Sequence, residues 1–166
     1  PYATYYEYAD LHQLSVLWFH SRTNLAVWRK RFIGTSAACS AREPLLPIAG
    51  AVVEKITDVP AAAAVARYFA DMRLAVREMY RVLKPGGRAC LMIGNTVVHG
   101  VLVLNAEVMH ELLTHAGFHP RAVVKRRALM KTVPMRSHYA DPRLGYSVSR
   151  QGRQMYEDEY LLVAQK

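Results

Sequence analysis

The chain has 166 residues, 52% of them hydrophobic and 21% charged, which is ordinary for a globular domain with a buried core. It contains no run of about 18 apolar residues and no charged-then-apolar leader, so we expect neither a membrane span nor secretion. Cys39 and Cys90 are too few for a disulfide framework or a thiolate metal site. We therefore expect two reduced, buried thiols in a cytoplasmic protein.

The net charge of +9 is concentrated in one part of the chain. Residues 121–153 hold nine Lys or Arg against one acid, Asp141, and so carry +8 of that total. A polyanionic partner is the simplest physical reason to concentrate charge in this way. The alternative is a solvated loop that keeps the protein soluble and binds nothing.

The N-terminal third predicts helices followed by irregular chain. Apolar residues recur every three or four positions between residues 5 and 20, which predicts a helix, and a second helix is expected over residues 22–32. Residues 34–60 mix Gly, Ser, Pro and apolar residues without a clear period. We expect little regular structure there.

A long helix is the clearest feature of the sequence. Its apolar stripe runs from about Ala61 to Val82, and Asp58-Val59-Pro60 resembles a helix start. Lys84-Pro85-Gly86-Gly87 then ends the helix, because proline cannot continue it and paired glycines permit a sharp reversal. The continuous apolar run Ala89–Ile93 predicts a strand that is covered on both faces.

The remaining elements complete an alternating pattern. A helix is expected over residues 105–116, strands over 121–126 and 160–164, and a long basic loop over 125–153. This order is typical of a doubly wound α/β sheet. It is also incomplete, because a parallel central strand needs neighbours on both sides. We therefore expect residues 1–166 to form a single partial domain.

Three of these motifs resemble class I S-adenosylmethionine-dependent methyltransferases. RVLKPGGRACLMIGN (81–95) is similar to that family's fifth-strand region, and AGF (116–118) to the exit from its last helix. YEDEYLLVAQK (156–166) resembles the family's final strand, which is inserted antiparallel at the sheet edge. The resemblance implies the C-terminal half of a Rossmann-like α/β sheet.

The first residues narrow the resemblance to amino-methyltransferases. Pro1-Tyr2 looks like the end of the family's [DNS]-P-P-[YFW] loop, and residues 5–14 are similar to the Y-x-Y-A-D-x-x-x-L segment of bacterial DNA methyltransferases. This implies methyl transfer from S-adenosylmethionine to an exocyclic amino nitrogen of a flipped cytosine or adenine, as in restriction–modification systems. The family's glycine-rich cofactor loop and ribose-binding acid have no counterpart in the sequence. They would lie on a missing N-terminal segment or on a second chain.

The resemblance also implies roles for individual residues. Pro1 would stiffen the catalytic loop, and Tyr2 would stack on the target base. Cofactor contacts are expected from Tyr6 and Asp10. The base pocket would include Asn95, Thr96 and His99, although an Asn after a strand is often only a turn former. The expected phosphate contacts are Arg126, Arg127, Lys131, Arg136, Arg143, Arg150 and Arg153. The scheme needs no metal.

Two other readings stay open. RNA methyltransferases that act on guanine N2 or adenine N6 share the proline–aromatic loop, so RNA is an alternative substrate. The chain is alternatively a nucleic-acid-binding or scaffold half whose partner performs the catalysis. Binding of cofactor by the chain alone, against binding by a complex, distinguishes these cases.

Overall fold

The computed structural model describes residues 8–19, 22, 24–35, 43–127 and 158–166. The helices and strands follow in chain order: α1 (Tyr8–Phe19), α2 (Leu25–Arg29), α3 (Pro47–Glu54), α4 (Val59–Val82), β1 (Arg88–Gly94), β2 (Thr96–Val98), β3 (Val101–Val103), α5 (Asn105–His115), β4 (His119–Arg127) and β5 (Asp158–Gln165). The predicted α/β class is confirmed.

The main sheet is built around its last strand. β5 lies between β1 and β4 and is antiparallel to both. The antiparallel direction was predicted, but the strand lies between two others rather than at the sheet edge. β1 and β4 consequently run parallel to each other. They are connected through α5, as a parallel crossover requires.

The long helix α4 has a defined start and a buried face. Asp58 Oδ1 accepts a hydrogen bond from Ala61 N at 2.8 Å, and Pro60 lies in the first turn, where its missing N–H costs nothing. The residues of α4 that are buried are Val65, Arg67, Tyr68, Phe69, Ala70, Met72 and Val76. With α5, this face forms half of the buried hydrophobic core among the described residues.

The end of α4 is held by the end of β5. Lys166 Nζ donates to the carbonyl oxygens of Tyr80 at 2.6 Å and Leu83 at 2.8 Å. An ammonium group is favourable at this position because the last carbonyls of a helix lack backbone partners. Lys166 also exchanges two backbone hydrogen bonds with the glycine turn, through Gly86 N and Gly87 O. The turn is thereby fixed to the sheet.

The prediction that residues 34–60 lack regular structure is wrong for α3. Pro47 begins this helix, and Ala49, Val52 and Ile56 are buried at helical spacing against the core. The apolar period is only about two turns long, and the surrounding Gly and Pro obscured it. Residues 43–46 and 55–58 are irregular, as predicted.

Two further elements differ from the prediction. Helix α2 is confined to five residues, shorter than the expected 22–32. The segment after β1, for which the sequence analysis expected no strand, forms a hairpin in which β2 pairs with β3. His99 and Gly100 occupy its two-residue turn, and both have positive φ, at 48° and 82°. This is the conformation that two-residue hairpin turns favour.

The main sheet is covered by helices on one face. Ala89, Ile93, Leu162 and Ala164 on that face belong to the core. The register places a second set on the opposite face, in two rows: Cys90, Val163 and Ala122, then Met92, Leu161 and Val124. This opposite set, which we call the open face, contributes nothing to the core, and its Met92 is 58% exposed. The expectation that β1 is covered on both faces is therefore wrong among the described residues.

The open face also contains one of the two cysteines. Cys90 is free and exposed, so the expectation of a buried thiol is wrong for this residue. Cys39 lies outside the described residues. Helix α1 likewise presents apolar side chains to solvent, with Leu14 and Trp18 both 82% exposed. No described helix has the length and apolar character needed to cross a membrane.

A pair of glycines tests the packing around the end of α5. Gly117 has a φ of +101°, and an added Cβ would meet the Tyr80 ring at 3.1 Å. Gly50 lies inside α3, and its added Cβ would meet nothing within 4 Å. We expect Gly117→Ala to lower the free energy of unfolding by about 1–3 kcal/mol. Gly50→Ala should leave it unchanged or raise it by up to about 1 kcal/mol. Urea titration measures both, and equal effects would contradict the geometry.

Candidate functional site

The residue after β1 joins that strand to α5. Asn95 Oδ1 accepts a hydrogen bond from Ala106 N at 2.9 Å, in the first turn of the helix. Its Nδ2 donates to the Glu107 carboxylate, at 3.1 Å to one oxygen and 3.4 Å to the other. Asn95 therefore satisfies a helix N–H as a capping side chain does, although it lies on another element.

A second asparagine holds the same corner from the helix side. Asn105 is fully buried, and its Nδ2 donates to Gly94 O at 3.0 Å and to Thr96 Oγ1 at 3.2 Å. Its Oδ1 is buried and has no hydrogen-bond partner among the described residues. Such an atom is rare in folded proteins, and it commonly marks an ordered water or a ligand contact.

The three residues predicted for the base pocket have different environments. Asn95 is half-buried, Thr96 is only 2% exposed and bonded to Asn105, and His99 is exposed at the hairpin turn. Asn95 and Thr96 thus have clear structural roles at the end of β1. Of the three, His99 is the one presented to solvent.

The basic strand β4 is exposed along its whole length, and three of its cationic side chains have partners on β5. Arg121 Nε donates to Gln165 Oε1 at 2.8 Å, and Arg126 forms an ion pair with the buried carboxylate of Glu159. Lys125 Nζ lies 2.8 Å from Asp158 Oδ2. The hydrogen bond to Asp158 and the attraction of its charge raise the pKa of Lys125 above the usual value.

Arg127 is the cation of β4 with neither an ion pair nor a side-chain hydrogen bond in the described part of the chain. Arg127 is the last residue of β4. Five of the other predicted phosphate contacts follow it in sequence. Those residues, Lys131, Arg136, Arg143, Arg150 and Arg153, lie outside the described residues, as do Pro1, Tyr2 and Tyr6. Their predicted roles stay predictions.

Asp10, predicted to contact the cofactor, forms an ion pair with Arg29 that links α1 to α2. The two side chains are 51% and 39% exposed, so this pair contributes little to stability. The prediction assigned the Asp10 carboxylate to the cofactor, but in the structure this carboxylate is already paired with Arg29. No group of three or more His, Cys, Asp or Glu side chains suited to a metal occurs within the described ranges.

An open cavity of about 260 Å³ lies beside this corner, between α5, the start of α3 and the strands β4 and β5. Its lining residues are Ile48, Ala106, Glu107, His110, Val123, Tyr160 and Leu162. The sequence analysis assigned no role to any of them. The sequence could have pointed to Glu107, because it is the acid in the first turn of α5. Its hydrogen bond from Asn95 is established only by the fold.

The described residues fit S-adenosylmethionine only in part. The sequence has no glycine-rich loop between a buried strand and a helix, and Asp10, the acid proposed to touch the cofactor, is paired with Arg29. A complete cofactor site would need residues from elsewhere.

Comparison with known proteins agrees with the α/β fold. A family model described as a methyltransferase domain matches residues 35–91, about a third of the chain, ending in β1. None of the curated proteins matches the sequence. The described sheet has the antiparallel final strand that the sequence analysis expected within an α/β fold.

Two solved structures of one protein, a candidate DNA modification methylase from Thermus thermophilus, are similar to this chain. The first is 18% identical, with a TM-score of 0.42, and covers 60% of this chain and 36% of that one. The second, complexed with S-adenosyl-L-methionine, is 17% identical, with a TM-score of 0.44, and covers 62% and 38%. The chain thus spans less than two fifths of that protein's length.

The hydrogen bonds of Asn95 to Ala106 and Glu107 should contribute to the free energy of unfolding. Asn95→Ala removes the acceptor for Ala106 N and the donor to Glu107, and we expect the free energy of unfolding to fall by about 1–2 kcal/mol. Asn24→Ala is the matched control, because Asn24 caps α2 in the same way, at 3.0 Å from Ala26 N, but no residue of that helix is buried. Its effect should be smaller when both are measured by urea titration. An Asn95 variant as stable as the parent would show that these hydrogen bonds are dispensable.

Proposed function

We propose that this chain is the C-terminal part of an S-adenosylmethionine-dependent methyltransferase that modifies an exocyclic amino nitrogen of cytosine or adenine in DNA. The observation that carries the proposal is the sheet itself, in which an antiparallel β5 lies between β1 and β4 behind a Lys-Pro-Gly-Gly turn. The match of residues 35–91 to a methyltransferase domain supports it. The Tyr5–Leu14 motif favours the amino-methyltransferase type.

The chemistry asked of the chain is positioning. An exocyclic amine is a poor nucleophile because its lone pair is delocalised into the ring, so alignment and hydrogen-bond acceptors for its N–H groups supply much of the catalysis. Bound S-adenosylmethionine supplies the methyl group. In this proposal Pro1 stiffens the loop that accepts those bonds, and Tyr2 stacks on the base. His99, at the exposed hairpin turn, is then the base-pocket residue best placed to meet the substrate.

A duplex target must be flipped out of the stack, at a cost of a few kcal/mol, and phosphate contacts help to offset this. The proposed phosphate-binding residues are Arg127 and the basic residues of 128–153. Arg126 is less suited to it, because the buried Glu159 already binds its guanidinium. Replacing Arg126 would therefore disturb folding as well as any binding.

A second polypeptide segment is part of the proposal. The open face of the sheet is apolar, and the outer edge of β1 has no strand partner among the described residues. An uncovered apolar face beside an unpaired strand edge is a docking surface or an aggregation hazard. We propose that the segment bearing the glycine-rich loop pairs with β1 and covers this face, whether it precedes this chain or belongs to another.

The direct test measures methyl transfer with and without that segment. The chain is incubated with tritiated S-adenosylmethionine and duplex DNA, alone and co-expressed with a polypeptide that carries the glycine-rich loop, and modified nucleosides are identified by mass spectrometry. We expect N4-methylcytosine or N6-methyladenine from the pair only. Methylated guanine or adenine in RNA would favour the RNA alternative. Nucleic-acid binding without transfer in either preparation would favour the scaffold reading.

A single added lysine tests whether the second segment binds to the open face. Met92→Lys should leave the isolated chain folded, because Met92 is 58% exposed, but should abolish assembly with the second segment. Val97→Lys is the matched control, since Val97 is 66% exposed but lies on the hairpin. Sedimentation of each variant with the segment measures assembly. Equal assembly of both variants would place the interface elsewhere.

A substitution of Arg127 tests whether this residue binds a DNA phosphate. Arg127→Gln should weaken binding to duplex DNA and reduce the slope of log affinity against log salt by about 0.9, the value of one phosphate contact. Arg81→Gln removes the same charge from α4, where Arg81 pairs with Glu78, and should leave the slope unchanged. Fluorescence anisotropy across a salt series measures both. Identical slopes for the two variants would show that only net charge matters.

A further inference from the structure

The cavity beside α5 combines an apolar body with a polar end. Ala106 and Leu162, 4% and 2% exposed, contribute buried apolar surface to it. Ile48 and Val123 contribute apolar side chains that are 36% and 53% exposed. Exposed aliphatic side chains around a concave surface are typical of a site that gains stability when it is filled.

The polar end is formed by two side chains one turn apart on α5. Glu107 and His110 are separated by three positions, which places them on the same side of the helix. The Glu107 carboxylate is fixed by the Nδ2 group of Asn95. A carboxylate accepts about four hydrogen bonds, so this one keeps acceptor capacity for a ligand.

The charge at this cavity opposes the charge of the chain. The protein has a net charge of +9, yet the cavity lining contains the acid Glu107 and no Lys or Arg. A second carboxylate lies one turn on, at Glu111, which accepts a hydrogen bond from the N–H of Ile48 at 3.2 Å. Near the lining residue Tyr160, the cation Lys125 is paired with Asp158. The carboxylate of Glu107 in the lining therefore favours a ligand that carries a positive charge.

We propose that this cavity binds a small planar cation, a single aromatic ring that bears an amidinium or a protonated amine. Its nitrogen would donate a hydrogen bond to the Glu107 carboxylate beside His110, and its ring would lie against Ile48, Val123 and Leu162. A volume of about 260 Å³ is near the lower limit for ligand sites, which suits one ring and a short substituent. The binding is independent of methyl transfer and of any second polypeptide segment.

Benzamidine is the probe, because it joins one ring to one amidinium. We expect ¹H–¹⁵N spectra of the full chain to show saturable shifts at Ala106, Glu107 and Leu162. Benzoate, with the same ring and the opposite charge, should produce none at the same concentrations. Shifts at other residues, equal responses to both compounds, or no response to benzamidine would overturn the proposal.

Matched carboxamide variants identify the contact. Glu107→Gln keeps an acceptor for Asn95 but removes the charge, and we expect benzamidine affinity to fall about tenfold, as loss of a charge-assisted hydrogen bond predicts. Glu78→Gln removes an equal charge on α4, where Glu78 pairs with Arg81, and should change affinity less than about twofold. Equal losses in the two variants would show that general electrostatics, and not this site, binds the probe.

A rim variant keeps the test decisive if Glu107→Gln folds poorly. Val123 is 53% exposed, so Val123→Lys should fold normally and place a cation at the rim. Benzamidine binding should then be lost, while circular dichroism and urea midpoint stay as in the parent. Retained binding in this variant would remove the cavity from consideration.

Discussion

The position of one strand determines the geometry of the whole sheet. β5 is the only described strand that pairs with either β1 or β4, so these two strands are held in register through it alone. Its inward residues Leu162 and Ala164 are both 2% exposed in the core. Just beyond it, Lys166 binds the last carbonyls of α4 and the glycine turn. The end of the chain thus fixes where α4 stops and where β1 begins.

The opposite end of β1 is fixed by amide side chains. Asn95 and Asn105 bind across the gap between strand and helix, each satisfying a backbone group of the other element. Net contributions of such hydrogen bonds are modest, about 1 kcal/mol each, but an unpaired buried partner would cost more. This corner therefore positions Glu107, and with it the polar end of the cavity, with little freedom.

Apolar and charged groups lie side by side on the sheet. The apolar rows of the open face continue into the Arg126–Glu159 ion pair, and most cations of β4 are bound to partners on β5. Local pairing means that the charge of β4 is less available to a polyanion than its sequence implies. Arg127 and the basic segment that follows it are the more suitable contacts. In the proposed function, the apolar face would contact the second polypeptide segment and the basic end would contact nucleic acid.

The sequence by itself determined the long α4, the turn after it, α5, the three strands of the main sheet and the α/β class, while the antiparallel direction of the last strand followed from the family resemblance. These features depend on local rules, since apolar period, proline and glycine act within a few residues. It did not determine α3 or the hairpin, because short patterns with few apolar residues fold according to what they pack against. It also did not determine which faces of β1 are covered, because this depends on the elements that pack on the sheet.

The site shows the same division. Asn95 was identified as a residue at a strand end, but its partners Ala106 and Glu107 are chosen by the return of α5 to that corner. Asp10 was singled out by the family resemblance and Arg126 for its charge, and the fold gave each a counter-ion from another element. A sequence specifies which groups can bind. Only the tertiary structure decides which of them are already bound to one another, because that depends on contacts between residues far apart in the chain.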